Sequence, residues 1–343
     1  MIDLIVAGGG PAGLATAIHA ALAGLEAVVV EPRPTPIDKA CGEGLMPGAV
    51  RRFEELGVPV TGRPFHGIGY VDGATGQRAQ ALFRSGPGRG TRRTDLQAAL
   101  AGRAARLGVR VLERRVGEVT QDGRRVTAAG LTARYLAAAD GLHSPLRRSL
   151  GLALPPAPGR PARYGLRRHY AVEPWSDLVE VYWAPGCEAY VTPLGPDRIG
   201  VAVLTSQQAP FDVQLARFPL LAARLPAPAV GAAVRGAGPL RQRARTRVAG
   251  RVLLVGDAAG YVDALTGEGL TLAVAAAGEL VRCVRADRPQ EYERAWRALS
   301  RDYRTLTGAL LWARRRPPLA RRIVPLAARL PRVFTGAVNL LGR

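Results

Sequence analysis

The sequence predicts an α/β fold in which a domain with a parallel sheet, built from separate segments of the chain, is combined with an antiparallel β-sheet domain and C-terminal helices. Three observations support this prediction. Apolar runs of strand length precede glycine-containing turns at three distant places, a central stretch alternates apolar and polar residues, and the final segment is rich in arginine and proline. A chain of 343 residues is long enough for two or three domains.

The first glycine-containing turn, Gly8–Gly13, reads GGGPAG and follows the apolar run Ile2–Ala7. An Ala-rich helix is predicted over Leu14–Leu25, ended by Gly24, and a second apolar strand then leads to Glu31. This order is the one that a Rossmann-like dinucleotide-binding unit requires, although an ordinary glycine turn is the alternative. The glycines permit a tight turn and the approach of a pyrophosphate to free N–H groups, and Glu31 is placed to accept a hydrogen bond from a ribose. The motif does not separate NAD from FAD.

A second segment of this kind lies late in the chain. Arg251–Gly260 (RVLLVGDAAG) predicts a strand with Asp257 at its end, where the carboxylate can hold the hydroxyls of an extended dinucleotide. A helix follows from about residue 270 to about residue 284. The turn Gly267–Gly269 before that helix presents N–H groups that can stabilise negative charge on a bound ring.

The segment Tyr135–Leu152 gives a third strand, which ends in Asp140-Gly141. Arg93 opens a helix with the sequence Arg-x-x-Leu. On these motifs the chain resembles the para-hydroxybenzoate-hydroxylase-like superfamily of FAD-dependent oxidoreductases, which contains aromatic hydroxylases, geranylgeranyl reductases and flavin halogenases. The resemblance covers residues 1 to about 285. It implies a discontinuous Rossmann-like FAD-binding domain of the GR2 type, with FAD as cofactor and NADPH or NADH as a transient partner. The FAD-binding residues that it implies are Gly8, Gly10, Pro11, Ala12, Gly13, Glu31, Pro32, Arg33, Cys41, Gly42, Arg93, Asp140, Gly141, Gly256, Asp257, Gly267, Glu268 and Gly269.

The chain departs from this resemblance at several positions. Hydroxylases of the superfamily usually have His where this chain has Gly260, and Pro commonly stands where this chain has Ala264. The sequence Thr-Gly-Glu-Gly over Thr266–Gly269 is more similar to the geranylgeranyl-reductase branch. The tryptophan pattern and the lysine of halogenases are missing, so halogenase activity is not expected.

The segment Ile37–Val50 contains Cys41 in the sequence Cys-Gly-Glu-Gly, which resembles a loop that lies beside the isoalloxazine in the reductase branch. Gly42 and Gly44 allow a backbone with positive φ and close approach to a flat ring. Three roles stay open for Cys41: proton donor to the substrate, tuner of the flavin potential, or small buried residue. Lys39, the only lysine, is close enough in sequence to lower the pKa of the thiol. Cys41 is the single catalytic candidate, and no general base or metal site is predicted.

Beside this domain, four alternating segments between residues 162 and 203 and two more over residues 66–73 and 78–83 predict a sheet, and hairpin spacing favours antiparallel pairing. Alternation puts Arg168 and Tyr170 on one face and His169 on the other. Candidates for lining a substrate pocket are Tyr182, Tyr190 and Pro193, together with Trp183. The predicted FAD-binding domain comprises residues 1–62, 93–160 and 240–290, the substrate domain residues 63–92 and 161–239, and the C-terminal helical segment residues 291–343.

The formal net charge is +21 and is carried almost entirely by arginine. Nucleic acid is not expected as a partner, because no binding motif is present and aromatic residues are few. The segment Leu310–Arg343 has arginines among apolar residues and no acidic residue, so a peripheral membrane contact and a helical cap with a solvated basic face stay open as alternatives.

Three cysteines at unrelated spacings predict neither a disulfide framework nor a metal site. The first residues enter a strand directly, which predicts that no signal peptide is present, and no uncharged stretch has the length of a membrane span. The expected location is the cytoplasm, with membrane association as an addition.

These observations together predict an FAD-dependent oxidoreductase. The favoured reaction is an NAD(P)H-using monooxygenation, in which O₂ forms a flavin C4a-hydroperoxide that hydroxylates a hydrophobic phenolic or polyketide-type substrate of secondary metabolism. The alternative is a geranylgeranyl-reductase-like enzyme that reduces prenyl double bonds, with Cys41 as the proton source. A protein that retains the flavin only for binding or assembly is a third hypothesis. In each case the cofactor supplies the chemistry and the protein supplies burial and orientation.

Overall fold

The structure is a computed structural model that describes residues 2–156, 158–226 and 233–342. The strands in chain order are β1 (Ile2–Ala7), β2 (Ala27–Val30), β3 (Gly44–Leu45), β4 (Arg63–Phe65), β5 (Gly67–Asp72), β6 (Arg78–Leu82), β7 (Gly88–Gly90), β8 (Arg110–Leu112), β9 (Val119–Gln121), β10 (Val126–Ala128), β11 (Leu131–Ala138), β12 (Tyr164–Tyr170), β13 (Val179–Ala184), β14 (Cys187–Pro193), β15 (Ile199–Thr205), β16 (Arg235–Ala237), β17 (Val248–Ala249) and β18 (Val252–Leu254). The helices are α1 (Pro11–Leu22), α2 (Pro47–Glu55), α3 (Arg93–Arg106), α4 (Pro145–Ser149), α5 (Phe211–Leu215), α6 (Pro219–Ala222), α7 (Gly269–Arg285), α8 (Glu291–Arg314), α9 (Pro317–Ala320), α10 (Ile323–Arg329) and α11 (Pro331–Leu341). Parts of the predicted substrate domain (227–232) and the last residue of the C-terminal segment lie outside the described residues.

The first sheet has the strand order β17-β18-β11-β1-β2-β8, and the pairs from β18 to β8 are parallel. Its central strands are almost fully buried, as expected for a parallel sheet that is covered on both faces. β1, β11 and β18 are neighbours although they lie far apart in the chain, which confirms the discontinuous Rossmann-like α/β domain. The carboxyl ends of these three strands meet at one edge of the sheet, where ligands bind in folds of this kind.

Helix α1 begins at Pro11, three residues before the predicted start at Leu14. Proline is favoured at the first helical position, so the helix starts inside the glycine motif itself. A Cβ on Gly13 would lie 1.9 Å from the carbonyl oxygen of Gly8, so only glycine lets the first turn of the helix pack on the end of β1. Gly24, with a φ of +75°, follows the helix end at Leu22.

The second sheet has the strand order β16-β12-β15-β14-β13-β5-β6, and all six strands predicted for it are present. Every pair is antiparallel except β5 and β13, which are parallel. Hairpin spacing informs only about strands that are neighbours in the chain, and β5 reaches the sheet from a segment more than a hundred residues earlier. The predicted antiparallel sheet therefore contains one parallel junction.

The two faces of this second sheet have different neighbours. One face packs under α5 and α6 in an apolar cluster with Phe211 and Phe218. The other face lies toward the turn before α7 and toward α8 and α10, in a cluster that includes Trp183, Leu265 and Leu311. The second face therefore closes the region at the edge of the first sheet.

A small third sheet, β3-β7-β4, lies between the two larger sheets. The C-terminal helices predicted after residue 290 are present as α8 to α11, and the side chain of Asn339 on α11 donates a hydrogen bond to the carbonyl oxygen of Leu82 at the end of β6. Within the described part of the chain, none of the helices is both long and apolar enough to cross a bilayer.

Candidate functional site

The first part of the site is the glycine turn at the end of β1. Gly8 has a φ of +114°, and a Cβ there would lie 2.5 Å from the carbonyl oxygen of Ala139 at the end of β11. A Cβ on Gly10, in contrast, would have nothing within 4 Å. The turn thus packs tightly against the sheet on one side and leaves backbone open on the other, where the N-terminus of α1 favours an anionic group.

Glu31 is buried at the end of β2 and organises this turn. Its carboxylate accepts hydrogen bonds from the backbone N–H of Gly9 at 2.8 Å and from Nε of Arg33 at 2.7 Å. Burial favours the neutral acid, but the hydrogen bonds from Arg33 and Gly9 outweigh it and hold the pKa of Glu31 below its ordinary value. A charged carboxylate beside the turn is what binding of a ribose hydroxyl requires.

Two further carboxyl groups lie at the same sheet edge. Oδ2 of Asp140 accepts the backbone N–H of Leu146 at 3.0 Å, while its Oδ1 is buried and has no partner among the residues that the structure describes. Burial raises the pKa of Asp140 and of Asp257, and Arg93 and Lys39 act against this rise at Asp257. Asp140 therefore has unused hydrogen-bonding capacity in a place from which water is largely excluded.

Cationic groups surround these acids. Burial lowers the pKa of Lys39, and the nearby Arg33 and Arg93 lower it further. Its Nζ lies 3.2 Å from the position that a Cβ on Gly141 would take, which places the ammonium at the Asp140-Gly141 turn. The Nε of Arg93 is buried without a hydrogen-bond partner among the described residues. Repelling cations and unpartnered donors favour an anionic group between them.

These features fit FAD. Its phosphates would be held by the open N–H groups at Gly10 and by Lys39 and Arg93, and its hydroxyls by the free Oδ1 of Asp140 and by the carboxyl group of Asp257. The structure thus brings together the predicted residues of the three distant motifs and of the Arg93 helix. Assigning individual contacts to them remains a proposal.

The loop with the sequence Cys-Gly-Glu-Gly contains the residue that sequence reasoning missed. Glu43, only 3 % exposed, has a φ of +60°, whereas Gly42 and Gly44, which would tolerate positive φ, do not adopt it. The carboxylate of Glu43 is 2.6 Å from Nε2 of His169 and accepts the backbone N–H of Arg93 at 2.9 Å. These contacts hold a backbone conformation that a glutamate rarely adopts. A charged residue between two glycines was the available signal for this role.

Other contacts fix the same loop to its surroundings. The hydroxyl of Thr192 on β14 donates to the carbonyl oxygen of Gly42 at 2.8 Å. Before the loop, Asp38 accepts hydrogen bonds from Arg167 at 2.6 Å and from Arg235 at 2.8 Å. The loop is therefore bound to the second sheet from both sides, and His169 lies on the face that alternation predicted, opposite Arg168, which pairs with Asp212.

The thiol of Cys41 is held neutral. Burial raises its pKa, and this effect outweighs the opposing charge of Arg93. Lys39, which is near Cys41 in sequence, has its ammonium beside Gly141, and the pKa of the thiol is raised rather than lowered. Cys41 is thus an S–H group rather than a thiolate at neutral pH.

The second sheet and the turn before α7 complete the site. The hydroxyl of Tyr190 donates to the carbonyl oxygen of Leu265 at 2.9 Å, and Trp183 belongs to the same apolar cluster. The structure places Tyr182 on the other face, where its hydroxyl donates to Glu180. Pro193 alternates with residues of that other face as well. Tyr190 and Trp183 therefore remain as lining candidates, and Tyr182 and Pro193 do not.

The side chain of Glu268 is largely buried, and its Oε2 has no hydrogen-bond partner among the residues that the structure describes. Burial raises its pKa to about 8, and the only charged neighbour that adds to this rise is Asp302 on α8. The hydroxyls of Thr266 and Thr307 are 2.9 Å apart, so α8 packs directly on the turn. Gly267, with a φ of +72°, lets the backbone of the turn reverse before α7.

Sequence comparison places this geometry among flavoproteins. Residues 1–166 match the model of an FAD binding domain. A menaquinone reductase from Mycolicibacterium smegmatis is 31% identical, and the alignment covers 99% of this chain and 91% of that protein. Digeranylgeranylglycerophospholipid reductase 1 from Methanothermobacter thermautotrophicus is 29% identical over 86% of this chain and 82% of its own length.

Similar solved structures share the fold at lower identity. A flavin-dependent brominase superposes with a TM-score of 0.82 at 18% identity and covers 99% of this chain and 93% of its own. The p-nitrophenol 4-monooxygenase from Pseudomonas putida superposes with a TM-score of 0.79 at 19% identity, and the superposition covers 99% of this chain and 98% of that protein. At this identity the likeness establishes the fold and does not transfer an activity.

Proposed function

Because the chain belongs to the para-hydroxybenzoate-hydroxylase-like superfamily of FAD-dependent oxidoreductases, we propose that it reduces a carbon–carbon double bond in the isoprenoid chain of a lipid-like substrate. The observation that carries this proposal is the neutral thiol of Cys41, held in a loop that Glu43 and Thr192 fix between the FAD-binding domain and the second sheet. Reduction of a double bond needs a proton donor, and this thiol can serve as one.

Saturation of a double bond adds a hydride to one carbon and a proton to the other. Bound FAD, in its reduced form, supplies the hydride. The thiol of Cys41 would donate the proton, and solvent would restore it afterwards. Arg93, whose charge favours the thiolate of Cys41, would stabilise the anion between these steps.

The wall of the site suits an apolar substrate. Trp183, Leu265 and the ring of Tyr190 belong to one apolar cluster beside the turn before α7. Burial raises the pKa of Tyr261 well above its ordinary value, and Cys41 is among the neighbours that add to this rise, so the thiol lies close to the same cluster. The names of the two relatives, a menaquinone reductase and a phospholipid reductase, agree with a lipid-like substrate.

The sequence predicted hydroxylation ahead of reduction, and hydroxylation stays a prediction. The similar monooxygenase structure shares 19% identity, whereas the relatives at 31% and 29% identity are both reductases. The use of NADPH or NADH as electron donor also stays a prediction. We place reduction first because that reaction gives Cys41 the role of proton donor.

A lipid-like substrate also agrees with a peripheral membrane contact of the C-terminal helices, which we include in the proposal. Trp312 and Val333 are 54% and 66% exposed, and Leu326 and Leu330 are exposed as well. They lie among the exposed arginines of a segment in which no acidic residue follows Asp302. Exposed apolar side chains within a basic surface are typical of helices that lie at an anionic membrane interface.

Product analysis tests the proposed reaction. The FAD-loaded protein, reduced with dithionite in the absence of air, is mixed with a menaquinone that carries an isoprenoid side chain, and the product is examined by mass spectrometry. We expect the side chain to gain two hydrogen atoms. A parallel reaction is supplied with labelled O₂. If its product contains an oxygen atom from that O₂, and the side chain gains no hydrogen in either reaction, the proposal is overturned in favour of hydroxylation.

A further inference from the structure

A cavity of about 400 Å³ is lined by residues of α8 and of other segments of the chain, and none of the groups assigned to FAD lines it. Five of the residues that line it are arginines. They are Arg160, Arg241, Arg297, Arg301 and Arg304. We call this cavity the arginine cleft.

Three separate segments build the arginine cleft. Arg297, Arg301 and Arg304 follow one another on α8 at helical spacing, so their side chains share one face of the helix. Arg160 comes from the loop after α4, and Arg241 from the segment between β16 and β17. A convergence of this kind depends on the tertiary fold and does not arise from a single basic helix.

The charges of the arginine cleft are largely uncompensated. Arg297 pairs with Glu293 at 2.7 Å, and Arg301 lies 3.6 Å from Asp302. Within the described ranges, no carboxylate lies within 4.0 Å of a guanidinium nitrogen of Arg160, Arg241 or Arg304.

Burial and neighbouring positive charges disfavour the charged form of Arg241 in this arrangement. Burial lowers its pKa, and the like charges of Arg160, Arg315 and Arg243 lower it further. Its Nε is buried and lacks a hydrogen-bond partner within the described part of the chain. A half-buried guanidinium with a free donor and cationic neighbours is stabilised when a multivalent anion binds between them.

The arginine cleft also borders the candidate site. Val262 lines the cleft and belongs to the apolar cluster that contains Leu265. The hydroxyl of Tyr303, one residue from Arg304, donates to the carbonyl oxygen of Asp263 at 2.8 Å. A ligand in the cleft is therefore separated from the site only by the segment that leads into the turn before α7.

We propose that the arginine cleft binds the phosphate or pyrophosphate group of an organic ligand. Guanidinium forks match phosphate oxygens in geometry, and several of them together suit a group that carries more than one negative charge. Two sources share this chemistry: the phosphates of a nicotinamide dinucleotide and a phosphate head group on an apolar substrate. The site does not depend on which reaction the flavin performs.

Binding to the FAD-loaded protein tests this proposal by titration calorimetry, with FAD present so that its own phosphate site is filled. The double variant Arg301→Gln/Arg304→Gln alters the arginine cleft, and Arg321→Gln/Arg322→Gln makes the same change of charge on exposed residues outside it. We expect the cleft variant to bind inorganic pyrophosphate about tenfold more weakly or worse, and the control variant to bind it as the parent does. Retained flavin absorbance and melting temperature show that the variants are folded. If the double variant does not fold, the single variant Arg301→Gln replaces it.

Three further probes separate the two sources. Tighter binding of NADP⁺ than of NAD⁺, lost in the cleft variant, assigns the cleft to the nicotinamide donor. Binding of farnesyl phosphate, lost in the cleft variant while NADP⁺ binding is unchanged, assigns it to a substrate head group. An equal loss in the cleft and control variants, or no pyrophosphate binding by the parent, overturns the proposal, because the arginines would then act only through the net charge.

Discussion

The buried arginines at the second sheet and the arginines of the arginine cleft have the same side chain but different surroundings. Arg163 is buried and bonded to Asp263 and Glu188 at 2.8 Å each, and Arg167 is buried and bonded to Asp38. In the arginine cleft, Arg241 and its neighbours face one another with few acids between them. In a chain with a net charge of +21, the partner therefore distinguishes an arginine that holds the fold together from one that is available to a ligand.

The largest expected effect is the loss of stability on substitution of Glu188. It is fully buried on β14 and accepts hydrogen bonds from Arg163 and from Arg314 on α8. Glu188→Gln would leave the buried guanidinium of Arg314 without its carboxylate partner and Arg163 with Asp263 alone, so we expect the free energy of unfolding to fall by about 3–5 kcal/mol. Urea unfolding of the FAD-loaded protein, followed by tryptophan fluorescence, measures this.

Glu291→Gln is the matched control, because Glu291 pairs with Arg282 and Arg288 at the surface. Its unfolding midpoint should stay where the parent has it. If both variants unfold at the same urea concentration as the parent, the buried ion pairs do not hold α8 to the second sheet. The claim that paired buried arginines stabilise the fold is then wrong.

Glu43 is a buried charged residue whose contacts fix the Cys41 loop at the candidate site. Glu43→Gln keeps the shape of the side chain but weakens its contacts with His169 and with the N–H of Arg93. We expect product formation to slow by roughly ten- to a hundredfold, because the Cys41 loop loses its fixed position, while FAD stays bound. Single-turnover kinetics and flavin absorbance measure the two quantities, and Glu54→Gln on the exposed side of α2 should leave both unchanged.

The exposed arginines of the C-terminal helices form a third case, since apolar side chains rather than acids accompany them. Leu330→Asp/Val333→Asp places charge in that surface, and Val213→Asp/Leu220→Asp does the same on α5 and α6. Sedimentation with vesicles that contain anionic lipid should show a severalfold loss of binding for the first pair only. Identical sedimentation of both pairs would remove the membrane from the proposal.

Glu268 lies between the site and α8 and gives the smallest expected effect. Because its pKa in the folded protein, about 8, is above the ordinary value of 4.5, the folded state binds the proton more tightly than the unfolded state. The contribution of Glu268 to stability is therefore largest at acid pH and declines as the pH rises through the interval between these two values. Glu268→Gln should reduce the fall in melting temperature between about pH 5 and pH 8 by about 3 °C. An unchanged pH profile would show that the carboxyl group is not buried as described.

Local patterns made much of this architecture predictable. The strands of both sheets, the helix that Arg93 opens and the meeting of Gly8, Asp140 and Asp257 at one edge follow from apolar periodicity and from glycine turns. The contact of Glu43 with His169 was not predictable, because it joins residues 126 positions apart and depends on how the sheets pack. The start of α1 at Pro11 follows from the local preference of proline for the first helical position, whereas the face of Tyr182 depends on which elements cover each side of the sheet.

The most direct test of the central claim compares two cysteine variants of the reduced, FAD-loaded protein. Cys41→Ser removes the proposed proton donor, and Cys283→Ser makes the same change in the buried core of α7. The rate of hydrogen transfer to an isoprenoid double bond is measured in a single turnover. We predict a loss of about a hundredfold or more for Cys41→Ser, with flavin binding retained, and little change for Cys283→Ser. Equal rates in the two variants would contradict the assignment of Cys41 as the proton donor.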